Sequence, residues 1–257
     1  MIRIAAAADL HLGRESRGEY RPLLAHVHLR ADILLLAGDL TQHGSPEEFR
    51  VLAGELEDLA IPVAAVFGNH DYHRDRQEEN RAILEGAGVR VMEGESLEME
   101  VTSGKLGVAG IKGFCGGYAG ACGAEFGELE MKVFIRKIKR DAESLAGALE
   151  SISNCDVRVA MTHYSPIKGT LIGEKLEIYP FMGSYLLAEV IDEAGVDLAL
   201  HGHAHKGTGQ GVTPGGVPVR NVAMPVIRSG YHLFSFDAAR EQNPPSRGSR
   251  PRSLAAR

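Results

Sequence analysis

An α/β fold is predicted by three observations. Short apolar runs recur along the chain, helical stretches lie between the first of them, and each run stops abruptly at Gly, Asp or His. Apolar runs of this kind read as strands buried on both faces, and strands alternating with helices imply a parallel sheet.

The elements follow in order. Residues 2–8, 33–37 and 63–67 are the first strands. Between and after them come helices at 21–30, at 46–59 with Pro46 in its first turn, and at 76–85 ending before Gly86. From Val89 the segments shorten to 89–92, 97–102 and 106–111, spaced by Gly and Glu turns that suit a second, mixed sheet. Residues 126–149 form a long amphipathic helix with Met131, Phe134, Ile135, Ile138, Ala142, Leu145 and Leu149 on one face. Strands at 157–161, 196–200, 217–223 and 231–236 close the chain. Two sheets with helices outside them, in one folded unit over 1–238, is the expected architecture.

Composition limits the function. A chain of 257 residues with 44% hydrophobic and 24% charged residues can bury a core, which excludes a disordered or collagen-like polymer. The formal charge of −6 hides a tail: residues 239–257 carry five Arg against one Glu and little apolar content, so they read as disordered, and the body before them is near −10. An acidic body argues against nucleic acid as the main partner. Cys115, Cys122 and Cys155 make neither a disulfide framework nor a Cys-x-x-Cys knuckle, which points to a reducing compartment. Asp9 interrupts the apolar N-terminus too soon for a signal segment, and nowhere do eighteen apolar residues run together. A cytoplasmic protein without a membrane span is expected.

The chemistry sits where the buried strands end: Asp9-Leu-His11, Gly38-Asp39, Gly68-Asn69-His70-Asp71, Thr162-His163 and His201-Gly-His203-Ala-His205. Carboxyl ends of parallel strands share the edge where ligands bind, so these five loops should converge. Imidazoles, carboxylates and one amide without thiolate suit Mn, Fe, Zn, Ni or Co in a catalytic site. Seven or more donors over-supply one ion and fit two divalent ions sharing a carboxylate.

The ordered series Asp9-x-His11, Gly38-Asp39, Gly68-Asn69-His70-Asp71, His163 and Gly202-His203-x-His205 resembles the calcineurin-like metallophosphoesterase superfamily, over residues 1–237. The resemblance implies a four-layer sandwich of two mixed β-sheets flanked by α-helices. It implies Asp9, His11, Asp39 and His205 on one metal, with Asp39 bridging to a second that Asn69, His163 and His203 complete. His70 matches the catalytic histidine that meets the phosphoryl group. The implied activity is hydrolysis of a small phosphorylated substrate, a phosphodiester or phosphomonoester, through a metal-bridging hydroxide.

Other residues near these blocks keep two readings. Asp71 is a neighbour behind His70 or a turn residue; His201 is a hydrogen-bonding strand-end residue or a ligand; His43 is a solvated loop residue or a substrate contact. The connector at 164–179 is expected to touch substrate.

Departures from the superfamily pattern narrow the branch. Gln42 stands where purple acid phosphatases have Tyr, and Gln42-His43-Gly44 stands where protein phosphatases have Asp-Arg-Gly, so that phosphate-binding Arg is missing. This favours a diester, and Gly-Asp-Leu-Thr is similar to bacterial cyclic-nucleotide-type phosphodiesterases. The alternative is a catalytically silent metal-binding scaffold of the same fold. Deleting 239–257 should change neither thermal midpoint nor turnover; an unfolded or inactive truncation would show the tail to be part of the folded unit.

Overall fold

Every second residue of a buried strand faces the opposite layer, and the short apolar runs fill both sides. A computed structural model of the chain describes residues 1–237; the tail expected at 239–257, and the boundary at 238, lie outside the described residues. Strands β1 (Ile2–Ala7), β2 (Ile33–Ala37), β3 (Val63–Val66) and β4 (Val89–Val91) run parallel in that order. Next come β5 (Glu95–Val101), β6 (Gly104–Ile111), the small hairpin of β7 (Gly117–Tyr118) and β8 (Ala121–Cys122), then β9 (Val157–Thr162) and β10 (Leu198–His201). The last are β11 (Gln210–Val212), β12 (Pro218–Asn221) and β13 (His232–Phe236).

The second sheet has the order β11-β12-β10-β9-β6-β5, with a parallel centre and antiparallel edges, and β13 closes the first sheet antiparallel to β1. Ile4, Leu35 and Val66 of one sheet meet Val108, Val159 and Leu200 of the other in a dry layer between them. The outer face of the first sheet is covered by α1 (Val27–Arg30), α2 (Pro46–Leu56) and α3 (Gln77–Gly86), through Val27, Phe49, Leu52 and Leu84. The second sheet is covered by α4 (Leu129–Ser151) and, beyond the short α5 (Tyr179–Met182), by α6 (Tyr185–Ala194), through Leu145, Leu149, Leu187 and Ile191. These layers are the four-layer sandwich of two mixed sheets. A last short helix, α7 (Met224–Ile227), precedes β13. No helix among the described residues is long and apolar enough to cross a membrane.

Two expectations are corrected. Residues 21–30 are not one helix: a 3₁₀ turn at Arg21–Leu24 is separated from α1 by Ala25 and by His26, whose φ is +64°. Leu24 before the break and Val27 after it are both buried in the apolar cluster that contains Ala5 and Leu34. The strand at 89–92 joins the first sheet, not the second. The short Ala87-Gly88 connection from α3 delivers it beside β3, where Val89 pairs with Val63. The remaining elements end within three residues of the expected bounds.

α2 shows local coding of an end point: Ser45 Oγ accepts the Glu48 N–H while the Glu48 carboxylate accepts the Ser45 N–H, a capping box followed by Pro46. Leu35→Ala in the layer between the sheets should lower unfolding free energy by about 2–5 kcal/mol, whereas Leu29→Ala on the exposed side of α1 should change it by less than about 0.5 kcal/mol. Urea unfolding of both variants is the check; equal effects would mean that the intersheet layer is not the core.

Candidate metal centre

The carboxyl ends of β1, β2 and β3 point to the same edge as those of β9 and β10, so loops from both sheets meet there. The backbone at this edge is unusual. Asp9, His11, Asp39 and His203 hold φ values of +58°, +46°, +49° and +70°. Left-handed backbone at non-glycine residues costs about 1–3 kcal/mol each and persists only where the surroundings impose it. Here parallel pairing continues past the strands, through Asp9 N–H to Gly38 O, His11 N–H to Asp39 O and Leu12 N–H to Leu40 O.

The glycines preceding the site residues have a steric cause. A Cβ on Gly68 would lie 2.1 Å from the backbone nitrogen of Asp39, and one on Gly202 would lie 2.4 Å from Asp9 Oδ2. The carboxylates sit directly against bare backbone.

Two groups of donors result. Ligand atoms of Asp9, His11, Asp39 and His205 lie within 4.8 Å of one another, and so do those of Asp39, His163 and His203. Asp39 belongs to both. His205 Nε2 is 2.8 Å from Asp9 Oδ1, and His11 Nε2 is 3.8 Å from Asp39 Oδ2 and 3.4 Å from His205 Nε2. Asn69 joins the second group: its Oδ1 is 3.0 Å from His163 Nε2, which is 3.4 Å from Asp39 Oδ1.

His163 shows how well this donor set suits a cation. Its Nδ1–H donates to Ala37 O at 2.9 Å, which fixes the ring as backbone carbonyls commonly fix metal-ligating imidazoles. Nε2 then faces two oxygens, so without a metal a proton must sit between them. Burial opposes that proton, but the charge and hydrogen bond of Asp39 push His163 up to about 9. Burial alone would raise Asp39; the His163 charge and the His70 N–H hold it well below the usual carboxylate range. Burial and the neighbouring His163 push His203 down to about 3, leaving a neutral imidazole with a lone pair. Carboxylate, amide oxygen and imidazole converging without thiolate fit a divalent transition metal.

His70 lies beside both groups. Its N–H donates to Asp39 Oδ1 at 2.8 Å and its Nδ1–H to Gln42 O at 2.8 Å, so Nε2 turns inward, 3.9 Å from Asp39 Oδ2. Among the described residues Asp71 makes no hydrogen bond to the His70 ring; it is fully buried and accepts from Leu40 N–H, Thr41 N–H, Thr41 Oγ1–H and Gly68 N–H. It thereby fastens the Asp39 loop to the Asn69 loop. Burial and the Asp39 charge push it up to about 7, against the pull of those donors.

His201 is also buried, donating from Nδ1 to Gly202 O and accepting at Nε2 from Thr170 Oγ1, and burial pushes it down to about 4. It ties the His203 loop to the connector after His163. His43 stands on the rim, half exposed, 3.0 Å from Glu48 Oε1. Sequence reasoning left His73 unassigned, yet its ring stacks on His70 at 4.8 Å. It also missed that the Tyr164 ring lies 4.5 Å from that of His203. Adjacency to His70 and His163 was the available signal for both.

The pH dependence of metal-free protein has a definite sign. A raised folded value for His163 contributes stability that is complete below its unfolded value, about 6.5, and is lost as pH rises through about 9. Thermal midpoints of metal-free protein should therefore fall across that window, and His163→Gln should flatten the fall; an unchanged profile in the variant would exclude the His163–Asp39 pair as its source.

Comparison with known proteins follows the same geometry. The family model for calcineurin-like phosphoesterases matches residues 2–207. A Synechococcus sp. protein named "Probable cyclic nucleotide phosphodiesterase" is 34% identical over 80 residues, covering 27% of this chain and 31% of that protein. A Fibrobacter succinogenes protein of similar name is 27% identical over 85 residues, covering 28% and 31%. Each match thus spans less than a third of the curated relative. Among solved structures, the phosphopantetheinyl hydrolase of Mycobacterium tuberculosis superposes with a TM-score of 0.63 at 17% identity, covering 90% of this chain and 95% of that one. An anchor protein of the inner membrane complex of Plasmodium superposes at 0.53 with 11% identity, covering 87% and 72%. At these identities the superpositions show the fold alone, whereas the family model covers most of the chain and every loop that carries the site: the chain belongs to the calcineurin-like phosphoesterase family.

Proposed function

We propose that the chain is a binuclear-metal phosphoesterase that hydrolyses a phosphodiester in preference to a monoester. The observation that carries this reading is the pair of donor groups sharing Asp39. Asp9, His11, Asp39 and His205 would hold one ion, and Asp39, Asn69, His163 and His203 the other. Mn, Fe, Zn, Ni or Co suits these donors. Such ions, when bound, supply acidification of water near neutral pH and neutralisation of charge on the phosphoryl oxygens.

The chain's own groups supply the rest. Asp39 is held ionised, and the His70 N–H on its Oδ1 fixes the carboxylate plane. The Gln42 carbonyl accepts a hydrogen bond from His70 Nδ1–H, which turns Nε2 toward the site, where it can deliver a proton to a leaving oxygen. The ring stacking of His73 limits rotation of His70.

Two things support a diester: the names of the curated relatives, and Gln42-His43-Gly44 standing where protein phosphatases carry a phosphate-binding Arg. A silent scaffold of this fold remains the alternative reading. A complete donor set beside an inward-facing His70 favours catalysis over it.

Metal-free protein reloaded with Mn, Zn, Ni or Fe(II) should hydrolyse bis-p-nitrophenyl phosphate faster than p-nitrophenyl phosphate; the reverse order would refute the diester preference. Asp39→Ala should lose both ions and all turnover together, and retention of either would refute the shared carboxylate. His70→Ala should keep its metal while turnover falls about 10²–10⁴-fold, and loss of metal would make His70 a ligand instead.

A further inference from the structure

A cavity of about 400 Å³ is lined by Arg14, Arg50, Arg74 and Arg76, with Glu47 and Glu79 the acidic groups among its walls. Two of its arginines stand on the loops that carry site residues. Arg14 follows His11 by three residues, and Arg74 is next to His73, whose ring stacks on His70 and stands 6.5 Å from that of His43. A row of imidazoles therefore runs from His70 through His73 to His43, on the same loops as Arg74 and the start of α2.

Four arginines against two glutamates leave the cavity two positive charges in an otherwise acidic chain. The existing ion pairs are loose or solvent-exposed. Arg14 to Glu47 and Arg50 to Glu79 are each 3.5 Å, with both arginines more than half exposed, and Arg76 shares Glu79 with Arg50. Arg74 has no ion pair among the described residues. Exposed pairs of this kind contribute little, so an incoming phosphate would displace the glutamates at little cost and gain planar, bidentate donors in return. The N-terminus of α2 at the cavity wall is already capped by Ser45, which leaves the guanidinium groups as the donors for an anion.

We infer that this cavity is an anion subsite that takes a second phosphate of the substrate, one not cleaved in the reaction. None of the four arginines donates a hydrogen bond to a candidate ligand side chain among the described residues, which separates this group from the phosphoryl group meeting Asp39 and His70. The inference rests on the phosphoesterase reading and narrows it to diesters whose esterified group carries a further phosphate.

The test has two arms, each with the double variant R50A/R74A and with R14A/R76A as a second variant should the first fail to fold. In the first, metal-free protein is titrated calorimetrically with inorganic pyrophosphate. Binding weakened at least tenfold in the variant is expected; no binding, or equal binding, overturns the subsite whatever the enzyme's activity. In the second, metal-loaded protein hydrolyses thymidine 5′-phosphate p-nitrophenyl ester and the same ester carrying a 3′-phosphate. The 3′-phosphate should raise kcat/KM at least tenfold in wild type and not in the variant, with bis-p-nitrophenyl phosphate turnover unchanged. Equal kcat/KM for the two esters, alongside arginine-dependent pyrophosphate binding, would make the cavity a site for free anions and overturn its role in substrate recognition. No turnover of any ester would overturn both that role and the hydrolase reading.

Discussion

A buried carboxylate needs compensating positive charge, and Asp39 is where this structure meets that requirement. It is almost wholly shielded from water, yet it lies among groups from both sheets: His11 after β1, His70 after β3 and His163 after β9. Without metal the compensation comes from the proton on His163; with metal, the same oxygens and nitrogens turn to cations. The two sheets are thereby tied at their shared edge by electrostatics as well as by the apolar layer beneath.

That requirement explains features otherwise unrelated. The left-handed backbone at Asp9, His11, Asp39 and His203 places side chains from three short turns on one point, and the bare faces of Gly68 and Gly202 let the carboxylates close in. Asp71 and His201 serve the same end from behind, one joining the Asp39 and Asn69 loops, the other holding the His203 loop to Thr170. The strain at the edge is borne by loops, while the rigid strands below fix where those loops start.

Much of this was legible because strands buried on both faces are written as short, uninterrupted apolar runs, and because each donor lies within four residues of a strand end. Asp39, His163 and the His203/His205 pair could be read as one constellation from order and spacing. The break at His26 was not legible, since a helix-compatible composition conceals a turn imposed by where Leu24 and Val27 find a core. Nor was the sheet membership of Val89–Val91, which depends on the short return from α3. Arg14, Arg50, Arg74 and Arg76 share no local pattern at all; only the packing of α2 and α3 gathers them. Single residues such as His73 and Tyr164 carry no signal beyond sitting next to a motif.

The central claim is that two cations replace the His163 proton around a shared Asp39. The measurement that reaches it most directly is calorimetric titration of metal-free protein with Mn²⁺ at pH 8, in two buffers of different ionisation enthalpy. Because His163 is pushed up to about 9, it is largely protonated at that pH and must release its proton on binding. The account predicts two ions per chain with net proton release, from His163 and from metal-bound water. A single ion, or two ions bound without proton release, would contradict it.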